Sequence, residues 1–511
     1  MNFNIYKLFK IIYINYFFSL INYIIKMLPS RLHYQSKVEP AMAKSYRSNI
    51  QPQNGTGPYN QNDTIIFNLP TRNNLCFVPT ESYLKFNATF TNTDTDVANY
   101  YRLDSNGAHG FIRRIRVFHG SNLLEDIDNY EVLAKMMFDL QAPYTATQGK
   151  LSITSGTRSD LALDKAARTK AFFTSGAATD TQLASAFNAI PSKVIIPNHG
   201  ALLNPTTGTV AVNGTITTQT FCINLISIIG TLCNEKYFPL FACKSAALRL
   251  EIQLVPNLYN AVATDQAGKF TIKDVEYVMN TIELSDSAMG IIQSSLNGEP
   301  LQFCITDYRN YVWNGSIPNT SATSFSVPIN AKFSSLKSIL IASRDTGKTG
   351  TVTYFPCSSN TFSLSQYYFR IGAQVYPSKF PSTTSEYFAE VVKATGSLSD
   401  MHHAPAIDYE SYNQTVPAVN NDLFYLAADY GVNTYKSSSI HSGSFYTGID
   451  LENYATADRT NIFAGYNSNS DDIFYVPSFP SQTAIGNIRF DSFAMYDAVL
   501  VFQNDTVYCK F

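Results

Sequence analysis

The sequence predicts an all-β protein with a few short helices, organised as two tandem β-sandwiches or jelly rolls. Two observations support this prediction. Short segments with period-two alternation of apolar and polar residues recur along the chain, as in half-buried strands. In addition, one arrangement of an extended strand, a tight turn and an amphipathic helix occurs once in each half of the 511 residues. Helical patterns are too few for the alternating helices of a parallel sheet.

The first copy of this arrangement begins at Phe111, in the segment FIRRIRVFHGSNLLEDI. Aliphatic residues alternate with arginines, and the sequence HGSN at 119–122 predicts a tight turn. Asp128 and Glu131 have the D-x-x-E spacing of a capping box, so we expect a helix to start there. Its predicted buried face consists of apolar residues at helical period, namely Val132, Leu133, Met136, Met137 and Leu140.

The second copy has the sequence YYFRIGAQVYPSKF. Gly372 inside this extended run predicts a β-bulge, and Pro377 and Pro381 are expected to stop strand pairing. Thr383 and Glu386 repeat the capping-box spacing. The predicted buried face and helix end are Tyr387, Phe388, Val391, Val392 and Gly396.

The remaining strand patterns place a domain on each side of a segment of weak pattern. They lie at Thr64–Leu69, 84–90, Leu248–Leu254 and 270–284, then at 303–312, 325–327, 336–342 and 493–502. We therefore predict a flexible arm at 42–60, a first roll at 61–286, a linker at 287–300 and a second roll at 301–511. We expect Phe511 near the last strand of the second roll.

Two long polar insertions interrupt the halves, at about 143–188 and 396–469, rich in Ser, Thr, Gly and Asn. Loops of this length inside a compact domain usually carry function or face solvent. We expect both insertions to lie at one end of the strands.

The first 41 residues have an unusual composition. Of residues 1–27, 22 are Asn, Ile, Tyr, Lys or Phe, which all have codons made of A and T alone. One interpretation is a signal peptide or hydrophobic leader, because two lysines precede an uncharged run of 15 residues at 11–25. That run is shorter than the roughly 20 residues of a spanning helix. We favour the alternative that 1–41 is a non-native upstream extension of a protein that starts at Met42 or Met27.

The composition favours an assembling protein. Charged residues make up 15% of the chain, below the roughly 25% of an average soluble protein, and neutral polar residues replace them. Burying a neutral amide or hydroxyl costs less than burying an unpaired ion, so such a surface is easily covered by a partner. The net charge of −2 argues against binding to duplex nucleic acid.

No motif predicts catalysis, a cofactor or a metal. The segment ASRDTGKT from Ala342 lacks the first glycine of a phosphate-binding loop and is followed by a strand pattern, so we predict a β-turn there. His402, His403 and Asp408 lack a further ligand nearby and are expected to face solvent. The adjacent carboxylates 471 and 472 would point apart in an extended segment, unlike a glycosidase pair.

The cysteines and the tryptophan are interpreted as structural. The seven cysteines (76, 222, 233, 243, 304, 357 and 509) are scattered and never form a C-x-x-C pair, so we predict free and mostly buried thiols. Trp313 follows a strand pattern and is expected to anchor a core or an interface. Glycosylation sequons, such as those at Asn87 and Asn413, matter only in a secreted chain.

Several segments between residue 42 and residue 511 together resemble the double jelly-roll major capsid proteins of small double-stranded DNA viruses, especially polinton-like viruses, adintoviruses and virophage-like elements. They are YRSNIQPQNG, TIIFNLPTRNN, ESYLKFN, FIRRIRVFHGSNLLEDIDNYEVL, EKYFPLFACKSAALRLEIQL, YYFRIGAQVYPSKFP and FAMYDAVLVF. The first 41 residues match nothing in this pattern.

The resemblance implies two eight-stranded jelly rolls side by side and a homotrimer that forms a pseudo-hexagonal capsomer of an icosahedral virion. It further implies contacts with neighbouring capsomers and with penton and minor capsid proteins, assembly inside the host cell, and no sequence-specific nucleic-acid binding. In that picture the two insertions form outer towers, and the arm faces inward or ties neighbours together.

Two other functions are open from the sequence alone. The first alternative is a secreted or membrane-tethered β-sandwich adhesin or lectin, which the N-terminal apolar run and the sequons favour. The second is a jelly-roll carbohydrate enzyme, which would need two carboxylates facing each other across a groove.

Overall fold

The computed structural model describes residues 42–91, 103–156, 216–232, 237–256, 269–296, 298–346, 357–396, 398, 405, 407, 409–413, 443–453, 463–481 and 486–511. The described residues from 45 onward belong to one compact unit. Four β-sheets dominate it, and the strands before residue 285 form two of them while the strands from residue 301 form the other two. The all-β prediction is confirmed.

The first roll consists of two facing sheets. One contains Ala43–Ile50 (β1), Tyr83–Thr91 (β4), Ile216–Ile223 (β7) and Lys269–Leu284 (β9), in the order β1-β9-β4-β7, with Leu75–Phe77 (β3) also paired to β9. The other contains Thr64–Leu69 (β2), Ile112–His119 (β5), Asn122–Asp128 (β6) and Leu248–Leu254 (β8), in the order β2-β8-β5-β6. In β8, the strict alternation of LRLEIQL gives four buried aliphatic residues and three half-buried polar ones.

The second roll repeats this plan. Its first sheet contains Leu301–Ile317 (β10), Leu336–Asp345 (β13), Tyr446–Asp450 (β16) and Gly486–Gln503 (β18), in the order β10-β18-β13-β16, with Thr506–Lys510 (β19) also paired to β18. Its second sheet contains Thr323–Ser324 (β11), Val327–Ile329 (β12), Gln366–Ile371 (β14), Gln374–Tyr376 (β15) and Ile473–Phe479 (β17), in the order β11-β17-β14-β15, with β12 also on β17.

The helices in the described part of the chain are few and short, as predicted. They are Tyr130–Gln141 (α1), Tyr144–Gln148 (α2), Lys150–Ser155 (α3), Asp286–Leu296 (α4), Thr384–Thr395 (α5) and Tyr409–Tyr412 (α6). Single 3₁₀ turns lie at Pro79–Glu81, Gly107–Phe111 and Leu240–Ala242, and a π-helical turn lies at Ile228–Leu232. Among the described residues, none of the helices has the length and apolar character needed to span a lipid bilayer.

The duplication predicted from the sequence is present in the fold. Hairpin β5–β6 leads into α1, and hairpin β14–β15 leads into α5. The four-strand orders of the two rolls also correspond strand for strand, with β1 equivalent to β10 and β6 equivalent to β15. All five residues of the predicted apolar face of α1 are buried, whereas on α5 Tyr387 and Val391 are buried and Phe388 and Val392 are half-buried.

One of the two predicted capping boxes is present in the structure, and the other is not. On α5 the capping box of Thr383 and Glu386 is complete: the Glu386 amide donates to the Thr383 hydroxyl, and the Thr383 amide donates to the Glu386 carboxylate. The box predicted for Asp128 and Glu131 is wrong, because α1 starts one residue later. Its N-cap is Asn129, whose left-handed backbone (φ 48°) leaves its side chain free to contact the second roll.

Two local predictions in the second roll are also wrong. Gly372 lies not in a bulge but in the tight turn of hairpin β14–β15, where its φ of 57° suits a residue without a side chain. The strand predicted at 325–327 is not continuous. Strand β11 ends at Ser324, and β12 begins at Val327, so residues 325 and 326 lie between two strands. A final strand that the pattern did not show, β19, follows β18, and the Phe511 ring contacts Phe333 and Tyr496.

The segments predicted as arm, linker and insertions contain regular structure. The polar arm is extended, and its strand β1 joins a first-roll sheet, so we propose that the first roll begins within 42–60 rather than at 61. Most of the predicted linker is helix α4. The insertions contribute α2, α3, α6 and the sheet strand β16, while 157–215 and 414–442 lie outside the described residues, as does 1–41.

Six of the seven cysteines lie in the described residues, and all six are free, as predicted. Their predicted burial is correct for half of them: Cys76, Cys243 and Cys357 are buried, and the other three are half-buried.

Trp313 is half-buried and packs inside the second roll. Its ring lies 5.0 Å from that of Phe325 and is stacked 5.7 Å from that of Phe490, measured between centroids. The indole also covers Gly315, where a Cβ atom would lie 2.3 Å from a Trp313 ring carbon. A glycine is therefore needed at this strand position so that the aromatic cluster can close over it.

We expect Gly315→Ala to destabilise the protein by about 1 to 3 kcal/mol, because the added methyl group must displace a packed indole. Gly290→Ala on α4 is the control: its Cβ would meet nothing within 4 Å, so we expect no loss and a gain of up to about 1 kcal/mol from helix propensity. Thermal unfolding followed by circular dichroism measures both, and equal unfolding temperatures for the two variants would contradict this account of Trp313.

Candidate functional site: the polar contact between the two rolls

The sequence candidates for chemistry do not converge. His402, His403 and Asp408 lie outside the described residues, and those residues contain no group of acidic, histidine or cysteine side chains that could hold a metal ion. Asp471 accepts a hydrogen bond from the Tyr466 hydroxyl, whereas Asp472 pairs with Lys332 at 3.0 Å. These two carboxylates therefore point to different partners, as predicted from their adjacency.

The segment that resembles a phosphate-binding loop begins inside a strand. Strand β13 extends through Asp345, and residues 347–350 lie outside the described residues. Arg344 in this strand is buried, and its Nε donates to Asp491 Oδ2 at 2.5 Å. The guanidinium of Arg344 is therefore engaged in an ion pair within the protein.

The main concentration of buried charge lies where the two rolls meet. Its first part surrounds Lys135 of α1, whose ammonium group is within 2.9 Å of Asp139, 3.5 Å of Asp104 and 2.8 Å of the Ser105 hydroxyl. The second roll supplies the Ser444 hydroxyl at 3.1 Å from the same nitrogen. Lys135 is 0% exposed, so the two rolls together bury its ammonium group and the partners of that group.

Tyr446 of β16 extends this cluster from the second roll. Its hydroxyl donates to Asp139 Oδ2 at 2.8 Å, next to the ammonium group of Lys135. Burial raises the pKa of Tyr446 well above its usual value, and the Asp139 carboxylate raises it further. The tyrosine therefore stays protonated and remains a hydrogen-bond donor.

The second part of the contact is centred on Asp491 of β18, which is 0% exposed. Asp491 accepts from Arg344 and, at 2.8 Å, from Arg489. Arg489 also donates at 3.0 Å to the side chain of Asn129, which in turn donates to Asn310 at 2.9 Å. The N-cap residue of α1 thus links the helix start of the first roll to two strands of the second.

The third part brings two carboxyl groups into the same buried region. Glu125 of β6 accepts from the Ile228 amide at 2.7 Å, and Asp307 of β10 accepts from the Tyr496 hydroxyl at 2.7 Å. Burial raises the pKa of Glu125 well above its usual range, and the charge of Asp307 raises it further. Burial likewise raises the pKa of Asp307, to about 6.

Strand β19 forms a fourth part of the contact between the rolls. The Val507 amide donates to the His119 ring at 3.4 Å, and Asn122 donates to the Val507 carbonyl at 3.1 Å. The Ser245 amide donates to the Asp505 carbonyl at 3.1 Å. The last strand of the second roll is therefore attached to the first roll through main-chain groups.

Most of this contact leaves no local pattern in the sequence, although one signal for it is present. Helix α1 (YEVLAKMMFDLQ) is apolar on nearly all sides, which is typical of a helix buried all round. Lys135 and Asp139, four positions apart within it, would then have to be buried as a pair. Their partners in the second roll lie more than 300 positions away, beyond the reach of any local pattern.

No family model matches the sequence, and neither does any curated protein. Solved structures do match. The Sputnik virophage structure aligns with a TM-score of 0.58 at 9% identity, over 95% of this chain and 92% of that chain.

Two further structures agree. The major capsid protein of mavirus aligns with a TM-score of 0.55 at 10% identity, over 96% of this chain and 94% of its own. VP54 of PBCV-1, fitted into a Sputnik reconstruction, aligns with a TM-score of 0.52 at 10% identity, over 93% and 99%. The fold is the double jelly roll. The matched structures come from the lineage that the sequence resembles.

The double jelly roll explains why the polar contact matters. Each roll has its own sheets, so the contacts between the rolls, these buried polar groups among them, fix how the rolls are oriented. Breaking a buried ion pair by removing one partner is strongly destabilising, because the other charge is left without compensation. The Lys135 cluster should therefore be sensitive to substitution.

We expect Lys135→Met to cost about 3 to 5 kcal/mol of stability, because Asp104 and Asp139 would remain buried without their cation. Lys393→Met on the equivalent helix α5 is the matched control. Its side chain is 48% exposed and pairs with Glu390, so we expect a loss of about 0.5 kcal/mol or less. Urea unfolding compares the two variants, and similar losses in both would contradict the structural role of Lys135.

Asp307 should make stability depend on pH. Its pKa is raised from 3.8 to about 6 by burial, so its contribution is fully favourable below pH 4 and is lost as the pH rises through about 6. We expect the stability of Asp307→Asn relative to the natural protein to increase by roughly 2 to 3 kcal/mol between pH 4 and pH 7. Unfolding curves measured across this range test it, and a constant difference would refute the assignment.

Proposed function

We propose that this protein is the major capsid protein of an icosahedral double-stranded DNA virus. The observation that carries the proposal is the agreement of fold along nearly the whole of this chain and of the virophage chains, including both rolls and their tandem order. A shared single roll would support only a general β-sandwich. The role proposed is structural rather than enzymatic.

We further propose that three copies form a pseudo-hexagonal capsomer. Two rolls per chain give six similar rolls in a trimer, which suits a shell tiled by hexagons. The proposed partners are copies of the same chain, then neighbouring capsomers and the penton and minor capsid proteins of the virion. We also propose that the capsid assembles inside the host cell.

The composition of the chain suits this function. Charged residues make up only 15% of the sequence, and neutral polar groups are less costly to desolvate than ions. Individual contacts between such surfaces are weak, but many of them act together in a closed shell. Weak individual contacts also allow wrongly placed capsomers to dissociate.

The adhesin or lectin alternative is not favoured by the comparisons. At one of its supporting sequons, the side chain of Asn87 lies within a sheet of the first roll. It donates to Asp274 at 2.8 Å and accepts from Thr220 at 2.7 Å, so this amide already bonds to both neighbouring strands.

The capsomer is tested by the mass and outline of the purified full chain. We expect a species of three times the 56.8 kDa of one chain, with a pseudo-hexagonal outline in negative-stain images. Light scattering coupled to gel filtration gives the mass. A monomer at every concentration would reject the capsomer and return the adhesin to consideration.

A further inference from the structure

The contact between the rolls joins two sheet edges. Strand β6 is the edge of one first-roll sheet, and β10 is the edge of one second-roll sheet. The two strands pack against each other, and β19 packs on β6 beside them. Glu125 and Ile127 of β6 are buried, as are Ile305 and Asp307 of β10.

Two equivalent edges occur a second time in the chain, and there most of their residues are exposed. The second-roll equivalent of β6 is β15, which is also a sheet edge, and the first-roll equivalent of β10 is β1, another sheet edge. In β15, Gln374 is exposed and Val375 is 38% exposed. In β1, every residue of 45–49 is exposed, so neither face of that stretch is covered.

A long uncovered edge strand is a template for pairing with another chain, and soluble proteins usually protect such edges with charges, prolines or bulges. The stretch 45–49 has only one charged residue, Arg47, whose guanidinium donates to the Tyr83 hydroxyl at 2.9 Å. Strand β15 has no charged residue. Bringing these two edges together therefore buries mainly neutral groups and creates no like-charge contact between the two strands.

We infer that β15 of one copy packs beside β1 of a second copy, repeating between chains the contact that β6 and β10 make within one chain. The inference rests on the proposed function and specifies where its subunits meet. Such a contact is head-to-tail, because it joins the second roll of one chain to the first roll of the next. Head-to-tail contacts generate a closed ring when the rotation between copies allows it, and three copies then present six rolls around one axis.

Val375→Arg tests the inference in the full chain. Burying an unpaired guanidinium in the contact should raise the apparent dissociation constant of the trimer by at least about 100-fold and produce monomers at micromolar concentration. Val312→Arg is the matched control, since Val312 is also an exposed strand valine of the second roll (45%) but lies outside the proposed contact. It should remain a trimer.

Native mass spectrometry of the three proteins separates the outcomes. A trimeric natural protein with a monomeric Val375→Arg and a trimeric Val312→Arg supports the inference. A trimer in Val375→Arg, or equal dissociation in both variants, overturns it while leaving the capsomer intact. A natural protein that is itself monomeric rejects the capsomer, and the inference with it.

A second measurement does not depend on how the arginine variant folds. A photoreactive benzoylphenylalanine in place of Val375 should, on irradiation, form covalent dimers whose cross-linked peptides contain residues 45–50 of the other copy. The same probe at Val312 should not reach these residues. Cross-links from position 375 that map between chains to any other segment would overturn the inference.

Discussion

The position of one roll against the other depends on an ammonium group that water cannot reach. Lys135 belongs to the first roll, and Ser444 and Tyr446 of the second complete its surroundings. An ion in such a place needs all of its partners at once, because the cost of removing it from water is large. An arrangement of the rolls that separated Ser444 and Tyr446 from this cluster would leave buried charge with fewer partners, which disfavours it.

Charged residues are distributed unevenly between the contact of the two rolls and the exposed sheet edges. Ionic groups are scarce in the chain as a whole, yet several of them lie between the rolls, where Arg344, Asp491 and Lys135 are buried. The exposed edges, in contrast, consist mainly of neutral polar residues. Strong, geometrically demanding interactions thus hold one chain in shape, while weaker ones remain for contacts between chains.

Local sequence patterns were sufficient to predict the class of fold, the duplication and many of the strands. The alternation of LRLEIQL and the capping box at Thr383 each depend on residues a few positions apart, and both predictions are confirmed. The errors have a common cause. Asn129 caps α1 with its backbone because its side chain bonds to Asn310, and β1 is a strand because β9 lies beside it. These features depend on residues that are distant in the sequence, so local patterns do not reveal them.

The position of β18 in its sheet has a consequence for how the second roll forms. This strand lies between β10 and β13, and it pairs from Gly486 to Phe502 with β10, the first strand of the roll. Thr306 and Asp497, which meet across that pair, are 191 positions apart. Pairings between such distant segments form slowly, because a large loop must close first. On a ribosome this sheet would stay open at its centre until β18 has been synthesised, and a chain interrupted before β18 would leave β10 and β13 unpaired along the sides that β18 otherwise covers.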